Sequence, residues 1–270
     1  MFEILPGRSV IHVFGPDSQK FLQSLITNDI ANKTYTYNYL LNNQGRYLAD
    51  FFIYQDNSES YFLDVDTNTS ISLIKRLSMY KLRSHTEIID VSEFYAVLYS
   101  EKKLQNVIFS LQDPRYDKLG FRSLIKTENI SKLQNKVSDL YLKDKYNFAI
   151  VDGNLDLVVE KSIPIEFGAE ELNAIDYKKG CYVGQEVISR AKYQGVVRKK
   201  IFKLQQYGTN FAPVKQGDEV TFDEIKVGKL CSFYENLAIG LLWEEKYLGL
   251  AEKKVMVNNC IWNVVVPPWR

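Results

Sequence analysis

Between Tyr35 and Val65 the sequence spells three apolar, aromatic-rich runs, YTYNYLL, ADFFIYQ and YFLDV, separated by the polar stretches NNQGR and DNSES. Runs of this length divided by turn-forming residues read as strands joined by hairpins, so an antiparallel sheet is expected, with Gly45 at a turn. Ahead of them, SVIHVF alternates and is β-branched, GPDS is a turn, and SQKFLQSLI sets Phe21, Leu22 and Leu25 on one helical face behind Asp17 as N-cap. Thr67 is expected to cap a further helix through SISLIKRLSMYKL that buries Ile71, Ile74, Leu77 and Met79, after which TEIIDV resumes a strand.

A second round follows, with YAVLYS and GFRSLIK as strands, KKLQNVIFSLQ as a helix, and a helical segment from about Ile130 to Tyr146. Residues 1–195 therefore read as one α+β unit with halves at roughly 1–92 and 93–195. After Gly195 the texture changes to short strand-like pieces, VVRKKIFKLQQ, DEVTFD, KVGKLCSFY, LAIGLLW, KKVMVN and CIWNVVV, which predict a small barrel or sandwich over 196–270.

Composition narrows the function classes. With 34 Lys+Arg against 33 Asp+Glu, net charge advertises neither a nucleic-acid nor a membrane-surface protein. The N-terminal stretch lacks a charged n-region followed by an apolar core, and no apolar run approaches the ~18 residues that span a bilayer, so a cytoplasmic protein with no membrane partner is expected. Cys181, Cys231 and Cys260 are odd in number and widely spaced, and His12 and His85 are the sole histidines. That inventory fits neither a disulfide framework nor a complete zinc or Fe–S site from this chain alone, and no intrinsic metal is expected.

The densest chemistry lies in KKGCYVGQEVISR, Lys178 to Arg190. AEELNAID before it suggests a short helix ending at Lys178 and Lys179, with Gly180 just past its end where positive φ is favoured. A second helix is expected from near Gly184, with Gln185 and Glu186 in its first turn. Cys181 would then sit in a bend beside two ammonium groups and a helix N-terminus, conditions that favour a thiolate. A blander alternative is a small buried cysteine with Tyr182 and Val183 as packing.

Lys179-Gly180-Cys181-Tyr182-Val183-Gly184-Gln185-Glu186 resembles the K-G-C-Y-x-G-Q-E signature of the YgfZ family of folate-binding proteins, relatives of the glycine-cleavage T-protein. Arg190, the PIEFG segment at Pro164 to Gly168, FLQSLITNDI and LLNNQGRYLADFFIY extend the likeness over most of the chain. The resemblance implies a T-protein-like α+β fold around a channel that admits tetrahydrofolate or a derivative, followed by a C-terminal β-barrel. It also implies a part in assembly or repair of Fe–S clusters in client enzymes, including radical enzymes that modify tRNA, with Cys181 as the functional thiol.

A folate site needs a carboxylate for the pterin, a wall and a cation for the glutamate tail. The candidates are Asp50 or Glu166, Tyr182 and Arg190. An aminomethyltransferase of the T-protein type is the first rival; such enzymes carry adjacent aspartates after the hairpin turn, where this chain has Ala49-Asp50. An RNA-binding accessory module is the second, suggested by Arg190, Lys192, Arg198, Lys199, Lys200 and Lys203 with Tyr193 and Phe202 interleaved. Contact with tRNA is expected to be indirect or weak.

Overall fold

The computed structural model describes residues 1–195, 197–206, 213–249 and 252–270. In chain order its elements begin β1 (Phe2–Ile4), β2 (Arg8–Phe14), α1 (Ser18–Gln23), β3 (Tyr35–Leu41), β4 (Tyr47–Asn57), β5 (Ser60–Asp66), α2 (Thr67–Lys81) and β6 (Glu87–Asp90). They continue with β7 (Tyr95–Ser100), β8 (Phe109–Gln112), β9 (Phe121–Lys126), α3 (Leu140–Phe148), the single turn α4 (Gly153–Asp156) and α5 (Gln185–Tyr193). The last part is β10 (Lys199–Gln206), β11 (Glu219–Phe222), β12 (Ile225–Tyr234), β13 (Leu237–Trp243), α6 (Glu244–Leu248), β14 (Lys254–Val257) and β15 (Cys260–Val265).

The expected hairpins form: β3, β4 and β5 pair antiparallel, and β2 and β6 complete a five-stranded sheet in the order β3-β4-β5-β2-β6. A four-stranded sheet, β1-β7-β9-β8, contains the second round, and its edge strand β1 comes from the very start of the chain. The six strand-like pieces after Gly195 close into a barrel, β10-β13-β12-β11-β14-β15. Its interior is filled by Phe202, Leu230, Leu242 and the fully buried Trp262, which leaves a small barrel no lumen.

The five-stranded sheet is covered on both faces. One face, with Ile11, Leu40, Phe51, Ile53 and Leu63, packs under α1 and α2 in a mainly apolar layer. The other carries Tyr37, Tyr39, Phe52, Tyr54 and Phe62 and meets Val97, Tyr99 and Leu124 of the second sheet. Ile201, Cys231, Ile239 and Leu241 join that same cluster from the outer surface of the barrel, so the barrel is docked rather than tethered. Ser232 Oγ donates to Asp156 at this seam, and the Asp156 carboxylate also takes the fully buried Lys145 ammonium at 2.7 Å.

Charges are built into the layer between the sheets. Asp64 accepts from Arg8 at 2.5 Å and from Arg122 at 2.7 Å. Arg115 forks onto Asp113 at 2.7 Å and reaches Asp152 at 2.7 Å. The Arg122 and Arg115 guanidiniums lie 4.0 and 4.9 Å from the centre of the Phe52 ring. Burial pushes the Asp64 carboxyl up, but Arg122 and Arg8 outweigh it and hold it below the usual carboxylate range.

Several local expectations are corrected. Asp66, not Thr67, caps α2 by accepting from the Asn68 N–H, and the buried face is Thr69, Ser70, Leu73 and Leu77, leaving Ile71 and Met79 exposed and Ile74 half-buried. Asp17 stands at the N-cap of α1 without capping it; its carboxylate accepts from the backbone N–H of His85 at 2.7 Å instead. KKLQNVIFSLQ forms turns and then β8, because Leu104 and Val107 pack into a small cluster with Phe2 and Leu98. The helix expected from Ile130 to Tyr146 is divided into a 3-10 segment, Thr127–Lys132, and α3.

Removal of Asp64 would leave two buried guanidiniums without their carboxylate. Asp64→Ala is therefore expected to lose about 3–5 kcal/mol in urea unfolding. Glu160→Ala, which breaks the exposed pair with Arg76, should lose under about 1 kcal/mol.

Candidate functional site

Asp50 lies on β4, facing the layer between the sheets, and a β-bulge decides its company. Leu40 pairs with Ala49 and Leu41 with Tyr47, so Leu48 is an extra residue in the ladder. The bulge turns Tyr47 to the same face as Asp50, which strict alternation would have forbidden. The Tyr47 hydroxyl donates to Asp50 Oδ1 at 2.8 Å, while the Tyr37 hydroxyl at 2.8 Å and the Gly153 N–H at 3.2 Å donate to Oδ2. A Cβ on Gly153 would stand 1.9 Å from Asp50 Oδ1, so only glycine admits this approach. Ala49 points into the apolar layer below, which makes Asp50 the cavity-facing member of that pair.

Asp50 differs from most buried carboxylates of the layer in what it is bonded to. Among the described residues its partners are neutral donors alone, whereas Asp64, Asp113, Asp152 and Asp156 pair with Arg or Lys. Burial pushes the Asp50 carboxyl above its usual range, with Arg8 only partly opposing from a distance. Asp50 and Gly153 line a cavity of about 170 Å³ whose apolar wall includes Leu5, Pro6, Tyr141, Leu142 and Leu155.

The thiol loop is a separate construction. AEELNAID is a chain of turns rather than a helix, because its backbone is stapled to the segment after α1. The Thr27 hydroxyl donates to the Ala174 carbonyl at 2.7 Å, Asn28 Nδ2 to the Asn173 carbonyl at 2.6 Å, and the Asp176 N–H to the Thr27 carbonyl at 3.0 Å. Lys179 completes the staple. Its buried ammonium donates to three backbone carbonyls, those of Gln23, Ile26 and Asn28, at 2.9, 2.6 and 2.7 Å, and lies 5.2 Å from the centre of the Tyr182 ring. Burial lowers it to about 8, against the pull of Asp29 and Asp176.

Gly184 has a left-handed φ of +84° and opens α5 as expected. A Cβ there would meet the Asn42 carbonyl at 2.7 Å and the Gly45 Cα at 3.2 Å. The loop therefore rests on the tip of the β3–β4 hairpin through two glycines. Gly180 is not the positive-φ residue the sequence suggested, and nothing lies within 4 Å of where its Cβ would be. Cys181 is an exposed free thiol. Tyr182 is buried, Gln185 is half-buried and Glu186 is exposed.

Of the four proposed folate contacts, only Asp50 lines the cavity. Tyr182 packs in the central cluster, Glu166 lies in a narrow cleft beside Trp269 and Arg270, and Arg190 is on the exposed face of α5. The basic segment is largely engaged: Lys192 with Glu170, Lys200 with Glu244, Lys203 with the Asn147 carbonyl, and Lys199 near the Trp243 ring. Sequence reasoning missed Tyr37, Tyr47 and Gly153 around Asp50, and the carbonyl cage of Lys179. The charged turn sequences DPR at Asp113 and VDG at Val151 were the available signals, since charges beside apolar runs are costly unless paired.

Residues 8–100 match the GCVT N-terminal domain family. Over its whole length the chain superposes on the glycine cleavage system aminomethyltransferase T from Bartonella henselae, covering 86% of it with a TM-score of 0.77 at 13% identity, a likeness of fold. The mitochondrial iron-sulfur cluster assembly factor IBA57 homolog of Dictyostelium discoideum is 30% identical over 274 residues, 83% of this chain and 67% of that one. The chain belongs to the IBA57 family. A fungal IBA57 homolog, from Mycosarcoma maydis, is 33% identical over 227 residues, 75% of this chain. The chain spans only 56% of the length of that relative.

Two outcomes test the site. Lys179→Ala empties the carbonyl cage, and with hydrogen bonds to a charged group contributing about 1.5–3 kcal/mol, amide protection over residues 179–184 should fall more than about tenfold. Ammonium or potassium ions, but not tetramethylammonium, should restore it. Asp50→Asn removes the carboxylate charge while keeping the shape. Because burial raises the folded-state pKa, the native wild type takes up its proton before the unfolded chain as pH falls. Asp50→Asn should therefore equal or exceed wild type in urea midpoint at pH 7, with the advantage vanishing toward about pH 4.

Proposed function

We propose that this IBA57-family chain binds a tetrahydrofolate or a derivative beside Asp50 and assists assembly or repair of Fe–S clusters in client enzymes through the loop around Cys181. The observation that carries the folate half is Asp50: a buried carboxylate without a cation partner, on the wall of a cavity, in a T-protein fold. The donor groups of a pterin would supply what that carboxylate lacks, and the lining suits such a ring, since it combines carboxylate acceptors with the apolar Leu5, Pro6 and Leu142. When bound, a tetrahydrofolate supplies one-carbon carrying nitrogens. The chain's own part is to orient the ring through Asp50, itself fixed by Tyr37, Tyr47 and Gly153.

The cluster half is supported by the names of the relatives and by the exposure of Cys181 on a loop held from beneath by Lys179. One thiol is too few to keep a cluster. Cys181 acts instead as a transient ligand to a cluster carried by a partner, which is cargo rather than a resident cofactor. Cys181 is not among the residues lining the cavity beside Asp50, so the thiol and the folate head work at separate places. The finer likeness to YgfZ proteins, the radical tRNA-modifying clients and a cytoplasmic location belong to this proposal as well; the relatives' names place those proteins in mitochondria. No helix among the described residues is long and apolar enough to cross a membrane.

Calorimetric titration with tetrahydrofolate should give saturable heat for wild type and for Cys181→Ser, and binding at least tenfold weaker for Asp50→Asn. Cys181→Ser should fail to restore an apo client Fe–S enzyme. Equal binding by Asp50→Asn would remove the folate half, and full restoration by Cys181→Ser the cluster half.

A further inference from the structure

The walls of the cavity beside Asp50 carry more carboxylates than cations. Glu3, Asp50, Asp66, Asp139 and Asp152 line it, against Arg8 and Arg122. Both guanidiniums are already neutralised by Asp64 beneath the wall. Asp152 is balanced by Arg115 and Lys145. Glu3, Asp66 and Asp139 have no ion pair among the described residues: Glu3 accepts from the Tyr141 N–H at 2.9 Å, Asp66 caps α2, and Asp139 accepts from the Ser138 hydroxyl at 3.2 Å. Asp66 and Asp139 are half-buried at the rim, where Asn154 and Leu155 complete the opening.

Volume is an independent constraint. About 170 Å³ is below the roughly 300–1,000 Å³ of sites that enclose a drug-sized ligand. A bicyclic ring fits inside, and whatever is attached to it must leave past the acidic rim. Resting on the folate reading above, we propose that the cavity selects a reduced, donor-rich pterin head and disfavours a polyanionic tail, so that its ligand is a tetrahydropterin or a monoglutamyl tetrahydrofolate rather than a polyglutamylated one.

The chemistry of selection is that of acceptors and like charges. A tetrahydropterin offers an exocyclic amine and ring N–H groups, N5–H and N8–H among them, whereas the fully aromatic pterin has unprotonated nitrogens at those two positions and would set lone pairs against carboxylates. Each added glutamate brings another negative charge to a rim that already holds Asp66 and Asp139 without cations. Such repulsion is strongest at low ionic strength and is screened as salt rises, with a Debye length of about 10 Å at 0.1 M.

The test is a calorimetric titration of the full chain with 6-methyltetrahydropterin, monoglutamyl tetrahydrofolate and pentaglutamyl tetrahydrofolate at about 20 mM and 300 mM salt. Binding of the first two, with the pentaglutamate at least tenfold weaker at low salt and the gap narrowing at high salt, is the expected result. Asp66→Asn/Asp139→Asn should close the gap at low salt; asparagine keeps both the cap of α2 and the left-handed backbone of Asp139. Pentaglutamate binding as tightly as the monoglutamate, or more tightly at low salt, overturns the selectivity and leaves the folate reading standing. No binding by any of the three removes both.

Discussion

Asp64 shared between Arg8 and Arg122 is the interaction on which the arrangement of the two sheets depends. One carboxylate joins a guanidinium on a strand of the first sheet to one on a strand of the second, in a layer rich in tyrosine and phenylalanine rings. Burying two guanidiniums would be prohibitive without it. Arg115 and Lys145 repeat the solution with Asp113, Asp152 and Asp156, and the last of these also receives Ser232 of the barrel. The two sheets are keyed together by ion pairs inside an aromatic core, and the barrel joins them through a hydrogen bond to one of the same carboxylates. Asp50 differs from them in having only neutral donors, and that difference marks the cavity.

The thiol loop depends on the same economy of polar groups in another form. The carbonyls of Gln23, Ile26 and Asn28 sit where α1 ends and would lack donors if buried alone. Lys179 satisfies all three with a single ammonium and so fixes the base of a loop whose tip carries Cys181. Segments separated by some 150 positions meet there, and the two glycines of the hairpin and the loop touch beside them.

Much of the fold was legible because strands announce themselves twice, by alternation and by the turns between them; all six barrel strands and the β3–β5 hairpins follow from that. Helices were read less well. On α2 the cap lies one residue earlier than Thr67 and the helix buries Thr69 and Ser70, so counting apolar residues found Leu77 and the half-buried Ile74 but wrongly added Ile71 and Met79. In AEELNAID, helical propensity was overridden by long-range hydrogen bonds to Thr27 and Asn28 that no local pattern contains. The site divides in the same way. Asp50 and Cys181 were visible as chemistry in a strand and a loop, but the bulge at Leu48 that turns Tyr47 toward Asp50 is a property of pairing, not of residues taken singly.

Gly180 stands beside the thiol with ordinary backbone geometry and empty space where a side chain would be. The fold itself therefore makes no demand for glycine at that position, unlike Gly153, Gly184 and Gly45, each hemmed in by its own chain. A methyl group could be added there without meeting another atom, so one flank of the exposed thiol is left open to solvent by the smallness of the residue before it.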